Sequence, residues 1–348
     1  MESAKQWLVD AHDAVHKWVT NSIAEAPKWL LVSGLTVSVG LVTTASVYFY
    51  TRPDKLLQLC RSSAVWNAGF TVQFVKGPEY TYSYIERGSP QQGRASMLFI
   101  HGLGDSKDYW TILVKHIPRH IHIVAVDLLG HGQTTVPTDI SDVSILKLVE
   151  CLEEFLVLFE QGPVLWHVIG TSMGGSVAAM FAVRNQQRVE KLTLICPAVK
   201  CPVEAEMAQL SSEKMFMQDP VNLRNLLSQL AYNKSVLPQS LWVYRALIEE
   251  RKERLEFLKA LLKYLQESFC HNDDNIETLF AKIGVPVQIL WGKEDECVHV
   301  SGASMLEKAI PTVKRTDILP VCGHLMVLEQ TDVTRSLIMD FYNCTYSF

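Results

Sequence analysis

A serine stands between two glycines in Gly170-Thr171-Ser172-Met173-Gly174, where an apolar run, "VLWHVI", meets a small-residue run, "GGSVAAMFAV". Gly-x-Ser-x-Gly between a strand and a helix is the pattern of a sharp turn that lifts a serine hydroxyl clear of the sheet in a strained backbone conformation. Bulky neighbours two residues away would collide across such a turn, and Gly170 and Gly174 remove the collision. The chemistry that suits this arrangement is nucleophilic attack on an acyl carbonyl. A serine hydroxyl is a weak nucleophile until a base takes its proton, so a histidine oriented by a carboxylate has to be found elsewhere in the chain.

Where this turn carries the nucleophile, the order along the chain is serine, acid, histidine. Of the 11 histidines, His324 in "VCGHLMVLEQ" follows the last strand-like run and lies downstream of an acid-bearing loop. Gly323 before it is expected to give that loop the freedom to swing the ring toward Ser172. His299 is the rival, but it precedes the final strand and reads as a neighbour of a helix cap. His101 and His131 fall in loops on the ligand side, where a shaping role is expected. For the acid, "ILWGKEDECV" offers Glu294, Asp295 and Glu296. Asp295, three residues past Gly292, is preferred because its short side chain holds an imidazole closely. Glu294 and Glu296 read as solvated neighbours, with Glu204 or Glu206 as the fallback. Acyl transfer also needs donors for the oxyanion. The N–H of Met173 supplies one, and "FIHGLGDSKDYW" supplies the other at Leu103, with Gly102 and Gly104 letting the backbone come close. No phosphate-binding glycine loop, zinc-type spacing or dinucleotide fingerprint occurs, so no metal and no cofactor is expected.

These groups need a scaffold that brings strand ends together. "TVQFV" and "YTYSYIE" flank Lys76-Gly77-Pro78-Glu79 as a hairpin. Strand-like runs "SMLFIHG", "IHIVAVDLL", "VLWHVIG" and "KLTLICPA" follow, the last three separated by helical stretches such as 141–159 and 173–183. Strands alternating with helices predict a mostly parallel sheet covered on both faces. From 199 to 281 no strand is expected, only amphipathic runs such as "LWVYRALIEERKERLEFLKALLKYLQ", which reads as a helical cap over the sheet. Alternation resumes with "VPVQILWG" and "KRTDILP" and closes on a helix near 332–342. The expected core is therefore 65–198 plus 282–348, with ligands outside the strand C-termini.

With 32 basic and 37 acidic residues in 348 the net charge is −5, which argues against a nucleic-acid partner. Hydrophobic content of 48% has a visible source: Trp29 to Tyr50 carries no charge across 22 residues. As a helix it would span roughly 33 Å, close to the apolar thickness of a bilayer. It reads as a retained membrane anchor with aromatic ends, preceded by an amphipathic arm over 1–28 that lies on the bilayer surface. Arg52, Lys55 and Arg61 follow the span while Lys17 and Lys28 precede it, which leans toward a type II orientation with a cytosolic C-terminal domain. The eight scattered cysteines read as reduced core thiols, in agreement with that compartment. Asn233-Lys234-Ser235 and Asn343-Cys344-Thr345 are sequons that matter only in the opposite orientation.

"GTSMGG", "CPA", "WGKEDECVHVSGASML", "CGHLMVLEQ" and "IPRHIHIVAVDLLGHGQTT" together resemble the α/β-hydrolase superfamily, and within it the membrane-anchored monoacylglycerol lipases. The resemblance runs from the anchor to the C-terminus and is thinnest in the cap. It implies nucleophile Ser172, acid Asp295, base His324 and oxyanion amides at Leu103 and Met173. It also implies a lipid substrate, a monoacylglycerol such as 2-arachidonoylglycerol or a lysophospholipid, met at an endosomal or other endomembrane. Leu103 departs from the bulky aromatic usual after His-Gly. His324 to Glu329 lacks the aspartate of acyl-transferring relatives, so no transferase activity is implied. His122 to Asp127 has that spacing inside a strand, as a coincidence. Two other readings stay open: an esterase or thioesterase for another hydrophobic substrate, and a catalytically silent membrane scaffold.

Overall fold

The computed structural model describes residues 28–203, 212–270 and 275–346. The chain divides into two compact units, Met1–Pro53 and Asp54–Phe348. In the first, helix α1 (Lys28–Thr51) runs for 24 residues over the expected anchor. Among the described residues no helix is long and apolar enough to cross a membrane. The side chains of 28–39 lie outside the described residues, as does nearly all of the arm expected at 1–28. From Gly40 onward the apolar side chains Leu41, Val42, Val47, Tyr48 and Tyr50 are exposed.

The second unit opens within helix α2 (Pro53–Asn67), which the sequence reading did not anticipate. Pro53 at its first position and Asp54 in its first turn suit a helix N-terminus. Its apolar residues form no single stripe: Val65 is buried while Leu59 and Trp66 are exposed. Strands β1 (Thr71–Lys76) and β2 (Thr81–Arg87) form the expected hairpin, with Gly77 N–H bonded to Tyr80 O at 2.8 Å.

Strands β3 (Ser96–Ile100), β4 (Ile123–Val126), β5 (Trp166–Thr171), β6 (Val189–Ile195), β7 (Val287–Gly292) and β8 (Val313–Leu319) complete an eight-stranded sheet of order β1-β2-β4-β3-β5-β6-β7-β8. All pairings from β4 to β8 are parallel, and only the β1–β2 and β2–β4 pairs are antiparallel. Every residue of β3, β4, β5 and β7 is buried, as expected of unbroken apolar runs covered on both faces, whereas edge strands β1 and β8 are mixed. Helices α3 (Ile145–Phe159), α4 (Met173–Arg184), α8 (Ser301–Ala309) and α9 (Thr331–Asn343) run between or after the strands. Helix α3 starts four residues later than its apolar pattern suggested, because Ser144 caps it by accepting the Lys147 N–H at 3.0 Å.

Between β6 and β7 lie α5 (Pro220–Leu230), α6 (Leu241–Arg251) and α7 (Leu255–Cys270), with no strand among the described residues of the insert. The long run expected to be helical is divided at Lys252–Arg254. At about 100° per residue, Phe257 would fall on the opposite face of an unbroken helix from Ile248. Both are buried, Ile248 in a small core within the insert and Phe257 in the main core of the domain. Leu223, Leu226, Tyr244 and Ile248 make a small core of their own between α5 and α6.

The expectation of core thiols holds only in part. Cys151, Cys196 and Cys322 are buried, Cys201 and Cys297 are partly so, and Cys60 and Cys344 are exposed; these seven are free, and the side chain of Cys270 lies outside the described residues. Cys60 sits on the outer side of the unanticipated α2, and Cys344 lies past the end of α9, where no core remains to receive it.

Candidate active site

The neighbouring strands β3, β5, β6, β7 and β8 each deliver one loop to the same edge of the sheet. Ser172 follows β5 directly and caps α4 with φ 53° and ψ −128°. That left-handed backbone costs a non-glycine residue on the order of 1–3 kcal/mol and persists because its surroundings over-determine it. Ser172 N–H donates to Ile195 O at 2.9 Å, and its own carbonyl accepts from Gly175 N at 2.8 Å and Ala198 N at 2.9 Å. The two glycines serve different ends. A Cβ on Gly170 would stand 2.2 Å from Gly174 O, inside the turn, while one on Gly174 would stand 2.3 Å from His101 O, against the end of β3.

His324 joins the serine to the acid. Its Nε2 lies 3.0 Å from Ser172 Oγ, and its Nδ1 lies 2.7 Å from Asp295 Oδ2. The second Asp295 oxygen accepts from Cys297 N at 2.8 Å and Val298 N at 2.9 Å, so the carboxylate is anchored while its other oxygen faces the ring. This fixes the tautomer: Nδ1–H donates to Asp295 and Nε2 accepts from the serine hydroxyl. Burial is the largest single influence and works against a charged His324, but the Asp295 carboxylate together with Cys297 and Cys196 raises the ring well above its usual pKa. Cys196, in left-handed backbone with φ 41°, places Sγ within 4.8 Å of ligand-type atoms of both His324 and Asp295. Burial pushes this thiol up to about 12, so it stays protonated; a metal would need the thiolate.

Gly323 does not act as the swivel expected of it. A Cβ there would lie 2.7 Å from Tyr232 N and 2.8 Å from Leu230 O, so the glycine is required by close backbone contact with the insert. Glu294 is likewise more than a solvated neighbour, since its carboxylate accepts the Cys322 N–H at 3.0 Å and steadies the histidine loop. Glu296 is exposed, and the fallback acids Glu204 and Glu206 lie outside the described residues. His299 bonds Ser301 at the start of α8 and has no bond to Ser172. His122 pairs with Glu86 and Ser96, while Asp127 takes the Lys107 ammonium at 2.6 Å, so those two do not meet.

The loop expected to hold the oxyanion is set by His101. Leu128 N–H donates to its Nε2 at 3.1 Å, which leaves the proton on Nδ1, and that proton goes to Gly102 O at 2.8 Å. Asp105 N–H reaches the same oxygen at 3.3 Å. Because a trans peptide points its N–H opposite to its C=O, anchoring Gly102 O aims the Leu103 N–H the other way. Among the described residues neither the Leu103 nor the Met173 N–H donates a hydrogen bond, and both residues line the same cavity as Ser172 and His324. Gly102 packs on the serine, with a Cβ there only 3.2 Å from Ser172 Cβ. His101 is fully buried and its pKa is lowered by that burial, so the ring stays neutral and its single N–H stays committed.

The site opens into a cavity of about 840 Å³. Leu223, Leu226, Leu227, Leu230, Leu247 and Leu265 of the insert line it, and Arg61, Asp105 and Arg251 give it a charged end. Arg61, on α2, donates Nη1 to both Glu250 oxygens at 2.7 and 2.8 Å. Neither Arg61 nor Arg251 was marked by any sequence motif.

A family model described as the alpha/beta hydrolase fold matches residues 95–331. The chain belongs to the α/β-hydrolase family. Monoacylglycerol lipase ABHD6 of Rattus norvegicus is 32% identical over 324 residues, covering 89% of this chain and 93% of the relative. The Homo sapiens protein of that name is 31% identical over 323 residues, with coverage of 89% and 93%. Among solved structures, a putative lipase from Acinetobacter baumannii AYE superposes with a TM-score of 0.71 at 26% identity, covering 82% of this chain and 94% of that one. A membrane phospholipase A shares the fold with a TM-score of 0.75 at 24% identity, covering 89% and 97%. This α/β-hydrolase is thus an enzyme of the hydrolase class, with helices on both faces of a mostly parallel sheet.

Proposed function

We propose that this α/β-hydrolase cleaves the ester bond of monoacylglycerols, releasing glycerol and a fatty acid. The observation that carries the reading is the hydrogen-bonded series Asp295–His324–Ser172 opening into a large leucine-lined cavity with a charged end. Such a cavity suits one acyl chain with a small polar head, and the 32% identity to a relative named monoacylglycerol lipase supports that substrate. In this mechanism His324 Nε2 takes the Ser172 proton as Oγ attacks the ester carbon. The Leu103 and Met173 amides hold the oxyanion, and His324 then gives the proton to the departing glycerol oxygen. Water, deprotonated in turn by His324, attacks the acyl carbon, and His324 returns that proton to Oγ as the fatty acid leaves. No step calls for a metal or cofactor.

We further infer a single-pass anchor at 29–50 with the catalytic unit on the cytosolic side of an endomembrane, supported by the uncharged 22-residue run and the basic residues that follow it. The test of function is glycerol and fatty-acid release from monoacylglycerols of graded chain length, against triacylglycerols and methyl esters. Long-chain monoacylglycerols should give the highest kcat/KM, and indifference to both chain length and head group would refute the assignment. Glycan attachment at Asn233 or Asn343 in cells would refute the orientation.

A further inference from the structure

We propose that the hairpin of α5 and α6 is part of the catalytic apparatus, holding the histidine loop and the oxyanion loop at once, with Glu329 and Arg251 as its positioning residues. The inference rests on the serine-hydrolase reading above. At one end of the hairpin, Leu230 O accepts the His324 N–H at 2.8 Å. Asn233 N–H donates to Glu329 Oε2 at 2.8 Å, and the same carboxylate accepts the Gly323 N–H at 3.1 and 3.2 Å. Glu329 is therefore a clip between the insert and the backbone immediately before the base. The backbone contact at Gly323 leaves that joint no slack.

At the other end Arg251, the last residue of α6, donates Nη2 to Gly104 O at 2.9 Å. Gly104 is in left-handed backbone at φ +70° and directly follows Leu103, which lines the cavity. The oxyanion peptide is thus held on both sides, by His101 before it and by Arg251 after it. The two helices are joined by one small core, in which Leu223 and Leu226 of α5 pack with Tyr244 and Ile248 of α6.

The hairpin also forms the acyl wall, through Leu223, Leu226, Leu227 and Leu247. An acyl chain that fills the cavity presses on the body whose ends carry both catalytic loops. Binding energy from a remote part of a substrate raises kcat only when it is spent on transition-state geometry, and this linkage is a physical route for it. Oxyanion donors are sensitive to displacements of about 0.5 Å, so loss of one tie is felt in rate before it is felt in fold.

The test uses the full chain in detergent micelles, with 4-nitrophenyl butyrate and 4-nitrophenyl oleate as short and long esters of one leaving group. Wild type should show a higher kcat on the long ester. R251Q should lower kcat on the long ester about tenfold with KM within about twofold, flatten the chain-length dependence of kcat, and leave the pH midpoint of the rate in place. R251K, which still donates to Gly104 O, should recover most of the rate. E329Q, whose NH2 in either orientation faces the Gly323 N–H donor against donor, should reproduce the loss from the other end and carries the test if R251Q does not fold. The proposal is overturned if kcat is unchanged, if the effect falls on KM alone, or if R251K is as impaired as R251Q with a matching fall in melting temperature. A wild type that a fluorophosphonate leaves unlabelled overturns the serine-hydrolase reading itself.

Discussion

Replacing Asp295 with asparagine keeps the shape of the acid and removes its charge, and the hydrogen bonds around it decide the consequence. Two backbone donors, Cys297 N at 2.8 Å and Val298 N at 2.9 Å, converge on Oδ1. An amide nitrogen facing them would set donor against donor, at a cost of about 1–3 kcal/mol for the buried groups left unpaired. The amide oxygen therefore stays on the anchored side, and the NH2 takes the place of Oδ2, 2.7 Å from His324 Nδ1. His324 must then accept at Nδ1 and carry its proton on Nε2, where it donates to Ser172 Oγ and cannot take the serine proton. The expected loss in kcat is about 10⁴-fold, or ~5.5 kcal/mol, with fold and melting temperature nearly unchanged. The assay is steady-state hydrolysis of 4-nitrophenyl butyrate together with the rate constant for fluorophosphonate labelling, both of which should fall in parallel. If Asp295→Asn keeps more than about a tenth of wild-type activity, the tautomer argument fails and the acid must be sought at Glu204 or Glu206.

The proposed mechanism needs neutral His324, whose pKa is held well above the ordinary 6.5 against burial by Asp295 with Cys297 and Cys196, so the rate should climb with pH along an acid limb centred above 6.5. In Asp295→Asn the raising charge is gone, and the residual activity should show that limb at lower pH; a limb that stays put contradicts the assignment. His101→Phe removes the donor to Gly102 O, and kcat should fall about 10–100-fold with little change in KM, while an unchanged kcat would mean that the Leu103 amide needs no such support. Lys107→Met strands the fully buried Asp127 without its ammonium, which should cost ~3–5 kcal/mol in urea unfolding; a loss below about 1 kcal/mol would show that the pair is not structurally required.

The site was legible where local chemistry and chain order sufficed. Ser172 announced itself through glycine spacing at a strand-to-helix join, and His324 and Asp295 followed from the order of acid and base after it. The parallel sheet was legible because strands buried on both faces must be continuous apolar runs. What escaped the sequence depends on contacts between residues far apart in the chain. Gly323 looks like any flexible glycine until Leu230 and Tyr232 are seen against it. Arg251 and Glu329 look like ordinary surface charges, yet one reaches Gly104, 147 positions away, and the other reaches Asn233, 96 positions away. Helix α2 was missed because a stripe pattern reports a buried face, and here only Val65 and Pro53 are buried. The break between α6 and α7 was missed because Arg251-Lys252-Glu253-Arg254 carries no glycine or proline to mark it.

The central claim is that one activated serine forms the acyl-enzyme. Intact-protein mass spectrometry after brief exposure to a fluorophosphonate measures this directly, with peptide mapping to locate the adduct. One adduct per chain on Ser172 is expected in wild type, with none in Ser172→Ala or after acid unfolding. An adduct of equal yield in Ser172→Ala, or none in the wild type, would contradict the account.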